Sequence, residues 1–158
     1  RCATGRDWLV SKDILLPETD RGKVVYVDFD GVYRNSEVWI NGHSLGFRPN
    51  GYVSFRYDLT PYLRYGSQPN VIAVKADNSE QPNSRWYSGS GIYRNVWLVK
   101  VNPVHVDNWG TFVHDMKISS EEATFALEVR IRNSSEADRE PKSLPLFTMT
   151  VIKLLRHP

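Results

Sequence analysis

Apolar and polar residues alternate along this chain in short bursts, and no stretch repeats with the period of a helix. Residues 24–29 read VVYVDF, a β-branched and aromatic run suited to a strand. Asp30-Gly31 interrupts it and Glu37-Val38-Trp39-Ile40 resumes it. Asn41-Gly42 follows, the strongest short signal for a two-residue hairpin turn, because both central positions need positive φ. His43-Ser44-Leu45-Gly46 is then the returning strand of a meander with one apolar face. Trp39 is expected to lie buried between the sheets.

The same pattern extends in both directions. Residues 8–16 predict a strand bounded by Asp7 and Pro17, with Lys12-Asp13 marking a sheet edge or bend. Residues 47–51, with Pro49 and Asn50-Gly51, predict a turn, and residues 52–57 the next strand. Residues 58–63 predict a short helical turn capped by Asp58 or Thr60, with Pro61 at a first helical position. Residues 71–76 form a strong strand; residues 77–91, rich in Ser, Asn, Gly and Pro, are the longest irregular stretch. Residues 92–101 return to strand, with Val96, Leu98 and Ile92 facing inward. Short strands with regularly spaced turn signals predict an all-β sandwich.

Asn102-Pro103 marks a boundary between a first domain over residues 1–102 and a second segment over 103–158. In the second, Phe125, Leu127, Val129 and Ile131 share one face of a strand over 124–132. Two or three strands alone are marginal in water, so this segment is expected to be the less stable part. Pro141 and Pro145 oppose a central strand further on.

Composition narrows the function classes. Within 158 residues, 41% are hydrophobic and 24% charged, ordinary values for a globular protein. The net charge of +2 is scattered and no basic cluster interleaves with aromatics, so no nucleic-acid partner is expected. No apolar run approaches the ~20 residues of a membrane-spanning helix, and no leader pattern opens the chain. Its first residue is Arg rather than Met, and the expectation is that this is not the natural start. The single cysteine, Cys2, excludes an internal disulfide. His43, His105, His114 and His157 lack the spacing of a zinc site, and no metal or cofactor is expected. Five Trp and eight Tyr are many for this length; they supply either core or a platform for sugar rings.

Three motifs, in order, carry a resemblance: FDGVYRNSEVWINGHSLG from residue 29, YVSFRYDLTPYL from residue 52 and NSRWYSGSGIYRNVWL from residue 83. Together they resemble the amino-terminal domain of the family 2 glycoside hydrolases, the β-galactosidase and β-glucuronidase group, over roughly residues 8 to 115. The resemblance implies a galactose-binding-like jelly roll of two packed antiparallel sheets, then the start of an immunoglobulin-like sandwich. Such a sandwich needs ~100 residues, and only about 56 follow the boundary, so an incomplete second domain and an altered carboxy terminus are expected.

It also implies a division of labour. Retaining glycosidases use two carboxyl groups about 5–5.5 Å apart. In this family both come from a (β/α)₈ barrel, which takes ~250 residues and which this chain has neither the length nor the strand–helix alternation to form. Asp28, Asp30, Glu37 and Asp58 are therefore read as strand-edge and turn acids rather than as catalysts. The implied sugar contacts are Tyr33, just after the Asp30-Gly31-Val32 turn, and Asn83, Ser84, Arg85, Trp86 and Tyr87 in the long loop. The family pattern has Asn where Tyr33 stands and an acid in the loop. Tyr33 would then stack or offer its hydroxyl, or else serve as a strand-edge aromatic. Trp86 and Arg85 would line a sugar or dock on the barrel, while Gly89, Gly91 and Arg94 shape the loop's return.

Three functional classes follow. The chain is read first as the amino-terminal part of a β-galactosidase-like hydrolase, inactive by itself. The alternatives are a stand-alone carbohydrate-binding module and a structural or interaction domain without a ligand.

Overall fold

The computed structural model describes residues 7–80, 89–119 and 123–135. The chain divides into two compact units, Arg1–Val101 and Asn102–Pro158.

The first unit is a jelly-roll β-sandwich. One antiparallel sheet has the order β1 (Asp7–Ile14), β7 (Asn70–Asp77), β4 (Ser36–Ile40) and β5 (His43–Arg48). A second runs β6 (Phe55–Asp58), β2 (Val24–Phe29) and β9 (Val96–Val101), and a small ladder joins β3 (Val32–Tyr33) to β8 (Gly91–Ile92). Two short 3₁₀ turns, Glu18–Asp20 and Thr60–Tyr62, fill the corners.

Period-two alternation builds the core, because successive strand side chains point to opposite faces. Val25, Val27 and Phe29 of β2 face Val38 and Ile40 of β4 and Ile72, Val74 and Ala76 of β7 within one buried cluster. Phe29 and Phe55 stack with centroids 5.0 Å apart, and Tyr57 meets Phe55 edge-on. The β4–β5 hairpin turns as expected, with Asn41 at φ 50° and Gly42 at φ 85°. Asn41 also ties the turn down: its Nδ2 donates to the Tyr62 carbonyl at 2.8 Å and its Oδ1 accepts from the Val71 amide at 2.9 Å. The short turn expected over 58–63 is the 3₁₀ turn Thr60–Tyr62, but its N-cap is Leu59, without a side-chain cap, rather than Asp58 or Thr60; Asp58 Oδ1 accepts from the Thr60 amide at 2.9 Å just before it.

Trp39 corrects the sequence reading. Val38 and Ile40 are fully buried, whereas Trp39 is half-buried on the opposite face of β4. Only every second residue of a strand can face the core, and the smaller aliphatic pair takes those places. The strand expected over 52–57 begins only at Phe55, with Tyr52 and Val53 exposed. The strand expected over 92–101 is broken at Tyr93–Asn95 into β8 and β9. Val96 and Leu98 do line an apolar cavity of about 240 Å³ with Val27 and Phe29, yet they remain 43% and 37% exposed. They sit on the outermost described strand of their sheet, where no further strand covers them among the described residues.

The second unit presents one antiparallel ladder, β10 (Val104–Ile118) against β11 (Ala123–Asn133). Phe125, Leu127, Val129 and Ile131 are half-buried while Glu128, Arg130 and Arg132 are exposed, as the alternation predicted.

Candidate functional site

At the end of the sandwich where β3 pairs with β8, three tyrosines and two glycines converge. Tyr33, the last residue of β3, is buried. Its ring lies against Gly51, where a Cβ would collide with it, so only glycine fits the Asn50-Gly51 turn here. Tyr52 meets Tyr33 edge-on with centroids 5.3 Å apart and is itself exposed. The Tyr93 hydroxyl donates to the Gly51 carbonyl at 2.9 Å, and its ring covers Gly31, where a Cβ would stand 2.6 Å from Tyr93 Cζ. The Asp30-Gly31 break and the Asn50-Gly51 turn are thus both places where an aromatic ring presses on backbone.

The same corner fixes the two ends of the long loop. Asn35, at φ 46°, donates through Nδ2 to the Asp77 carbonyl at 3.1 Å, and the Arg34 carbonyl accepts from the Asp77 amide at 3.0 Å. Arg34 Nη2 reaches the Glu80 carbonyl and carboxylate, both at 3.3 Å. Asp77 Oδ1 accepts from the Ser79 amide and hydroxyl at 2.9 and 2.6 Å. Across the loop, buried Asn78 donates to Ser90 Oγ at 2.9 Å. Gly91, at φ 93°, lies under the Trp8 ring, with a Cβ position 2.6 Å from Trp8 Cε3. Asp77 and Glu80 are therefore held to the turn that follows Tyr33, and Ser90 is held to Asn78 across the loop.

Of the sequence-predicted contacts, Tyr33 lies in this corner. Asn83, Ser84, Arg85, Trp86 and Tyr87 fall outside the described residues. Sequence reasoning missed Tyr52, Gly51 and Tyr93 as neighbours of Tyr33, and Arg34 and Asn35 as anchors of the loop. The available signal was local: Asn50-Gly51 next to Tyr52, and an aromatic two residues after Gly91.

Several acids of the first unit are engaged in structure. Arg56 Nε and Nη2 donate to the two Asp28 oxygens at 2.6 Å each, and the Arg56 guanidinium lies 4.7 Å from the Tyr26 ring centre. The Trp97 indole donates to Asp30 Oδ2 at 3.1 Å. Asp20 is buried and accepts from Lys100 at 2.7 Å and Lys23 at 2.8 Å, and these two hydrogen bonds hold its carboxyl below the usual range. Among the described residues no group of three or more His, Cys, Asp or Glu side chains is placed to hold a metal, and no helix is long and apolar enough to cross a membrane.

Comparison with known proteins agrees with this architecture. Residues 6–102 match the family model described as "Glycosyl hydrolases family 2, sugar binding domain". The β-galactosidase BoGH2A of Bacteroides ovatus is 54% identical over 127 residues, covering 80% of this chain and 15% of that protein. A putative β-glucuronidase of Formosa agariphila is 46% identical over 112 residues, covering 71% of this chain and 11% of that protein. The crystal structure of a β-glycosidase from Bacteroides vulgatus superposes with a TM-score of 0.77 at 46% identity, over 83% of this chain and 17% of that one. The chain thus spans a small share, 15% or less, of the length of these two curated relatives. With the motifs, the jelly roll and the family match all falling on the same residues, this chain belongs to glycoside hydrolase family 2, as its sugar-binding domain.

Proposed function

We propose that this chain is the sugar-facing amino-terminal module of a β-galactosidase-like hydrolase, whose two bond-breaking carboxylates lie on a barrel outside residues 1–158. The observation that carries this reading is the family match over residues 6–102 on a sandwich with an aromatic corner around Tyr33. Loops on a rigid scaffold are where binding residues concentrate, and the corner supplies both a loop and its anchorage. In this reading Tyr33 and Trp86 offer aromatic edges and faces to the C–H surface of a pyranose. Asn83, Ser84, Arg85 and Tyr87 read its hydroxyls with amide, hydroxyl and guanidinium groups. Asp28, Asp58 and Asp20, each tied to Arg56, a backbone amide or two lysines, serve the sandwich rather than the reaction. The unit after Val101 begins an immunoglobulin-like sandwich of the same protein.

The test is a chimaera in which this chain replaces its counterpart in the B. ovatus β-galactosidase. Hydrolysis of a chromogenic β-galactoside should be retained, and Trp86→Ala and Tyr33→Ala should each raise KM. An unchanged KM in both variants would remove the sugar contacts from these residues. Turnover by the isolated chain that tracks its concentration through repurification would remove the barrel from the scheme.

A further inference from the structure

The β10–β11 ladder contains a feature that a plain hairpin does not need. Ile131 and Val129, two residues apart on β11, pair with Val106 and Thr111, five residues apart on β10. The extra backbone, Asp107 to Gly110, forms a bulge, and bulges re-aim side chains. It is firmly braced. Arg132 Nε and Nη2 donate to the two Asp107 oxygens at 3.0 Å each, and Asp107 Oδ1 also accepts from the Asn108 amide at 2.9 Å. Buried Gly110 closes the bulge where a Cβ would stand 2.7 Å from the Asp107 carbonyl and 2.9 Å from that of Arg130.

What the bulge presents is Trp109, at φ 54° and 89% exposed. A bulky side chain in the left-handed region is strained, and water is the least favourable surrounding for an indole. Strain that the surroundings enforce clusters at functional sites. Trp109 and Gly110 line a shallow concavity of about 160 Å³ with Phe112, Glu128, Val129 and Arg130. Phe112 and Glu128 are cross-strand partners, and the Arg132 guanidinium, helped by that of Arg130, holds the Asp107 carboxyl below its usual range.

We propose that this concavity binds a single pyranose residue, with Trp109 as its stacking platform and Glu128 and Arg130 reading its hydroxyls. A sugar offers an apolar C–H face together with hydroxyls that both donate and accept. The site answers with two aromatic rings, a carboxylate that only accepts and a guanidinium that only donates. Its charges balance, Asp107 and Glu128 against Arg130 and Arg132, which favours a neutral ligand over a phosphate or a polyanion. Its volume falls below the ~300–1,000 Å³ of pockets for drug-sized ligands, so it admits one ring and not an enclosed oligosaccharide.

The experiment is saturation-transfer NMR on the full 158-residue chain with methyl β-D-glucopyranoside and methyl β-D-galactopyranoside. Saturation should reach the ring protons of at least one glycoside. Measured in a Trp86→Ala background, which removes the loop's contribution, it should disappear on adding Trp109→Gly and weaken on adding Glu128→Gln, so that failure of this proposal and failure of the loop reading are distinguishable. Glycine suits the φ of position 109, so Trp109→Gly should melt no lower than the parent, which separates lost binding from lost folding. Absence of transfer to both glycosides, or transfer undiminished in Trp109→Gly, overturns the proposal. So does a chain that self-associates through Trp109, becomes monomeric as Trp109→Gly and ignores both glycosides; the bulge would then be a protein contact.

Discussion

The placement of β4 can be tested by one pair of substitutions. Ile40 is fully buried and pairs with Ile72 of β7 on one side and His43 of β5 on the other. Ile40→Ala removes three carbon atoms, about 2.4 kcal/mol of transfer free energy at ~0.8 kcal/mol per buried methylene. The buried cluster it belongs to draws side chains from several strands of both main sheets, which cannot all close in, so a cavity adds to this. The total should be about 3–4 kcal/mol, inside the ~2–5 kcal/mol range for such truncations. Trp39, next along the chain, is the larger side chain, but it is half-buried on the outer face between Ala73 and Ser44. Trp39→Ala should cost only about 1–2 kcal/mol, since part of its surface is already wet and the gap opens to solvent. Urea unfolding followed by near-ultraviolet circular dichroism checks both values. With m of about 1.5–2 kcal/mol/M, Ile40→Ala should lower the midpoint by roughly 2 M at unchanged m, and Trp39→Ala by roughly 1 M. A larger loss for Trp39→Ala than for Ile40→Ala would mean that β4 is one residue out of register, and the core described above would be wrong.

Further consequences are open to the same kind of measurement. The Tyr57 hydroxyl is buried without a hydrogen-bond partner among the described residues, so Tyr57→Phe should leave stability unchanged or raise it; a loss above about 1 kcal/mol in urea unfolding would contradict that. Gly51→Ala should destabilise by about 1–3 kcal/mol, as overpacking does, and shift the Tyr33 ring resonances, because the new Cβ meets that ring. The Asp20 carboxyl titrates lower in the folded chain than in the unfolded one. Its contribution is therefore complete above the ordinary carboxyl value of ~3.9 and fades as pH falls below it toward the folded value. The melting temperature of Asp20→Asn should accordingly lie below that of the parent at neutral pH, with the gap narrowing in acid; a constant gap would exclude the ion pairs as its source. Limited proteolysis should trim the chain after Val101 first and leave the sandwich, and cleavage first within residues 77–91 would reverse that order.

Much of the fold was legible in the chain because its signals are local. The run VVYVDF, the Asn41-Gly42 turn and the alternation over 124–132 depend on backbone conformation and on a period of two, which a short window already contains. The three ordered motifs added the family, and with it the jelly roll. The tertiary structure alone decided which parity of each strand faces inward. Both faces of Val38-Trp39-Ile40 are apolar, so the sequence admits either side, and only packing against β7 and β2 selected Val38 and Ile40 over Trp39. The candidate corner was legible only through Tyr33. Gly51, Tyr52 and Tyr93 reach it from turns 18 to 60 positions further along the chain, roughly, and such contacts between turns on a rigid scaffold leave no periodic trace. The bulge at Trp109 was equally silent. Asp107, Gly110 and Arg132 cooperate to hold it, but that cooperation exists only once β10 and β11 lie side by side.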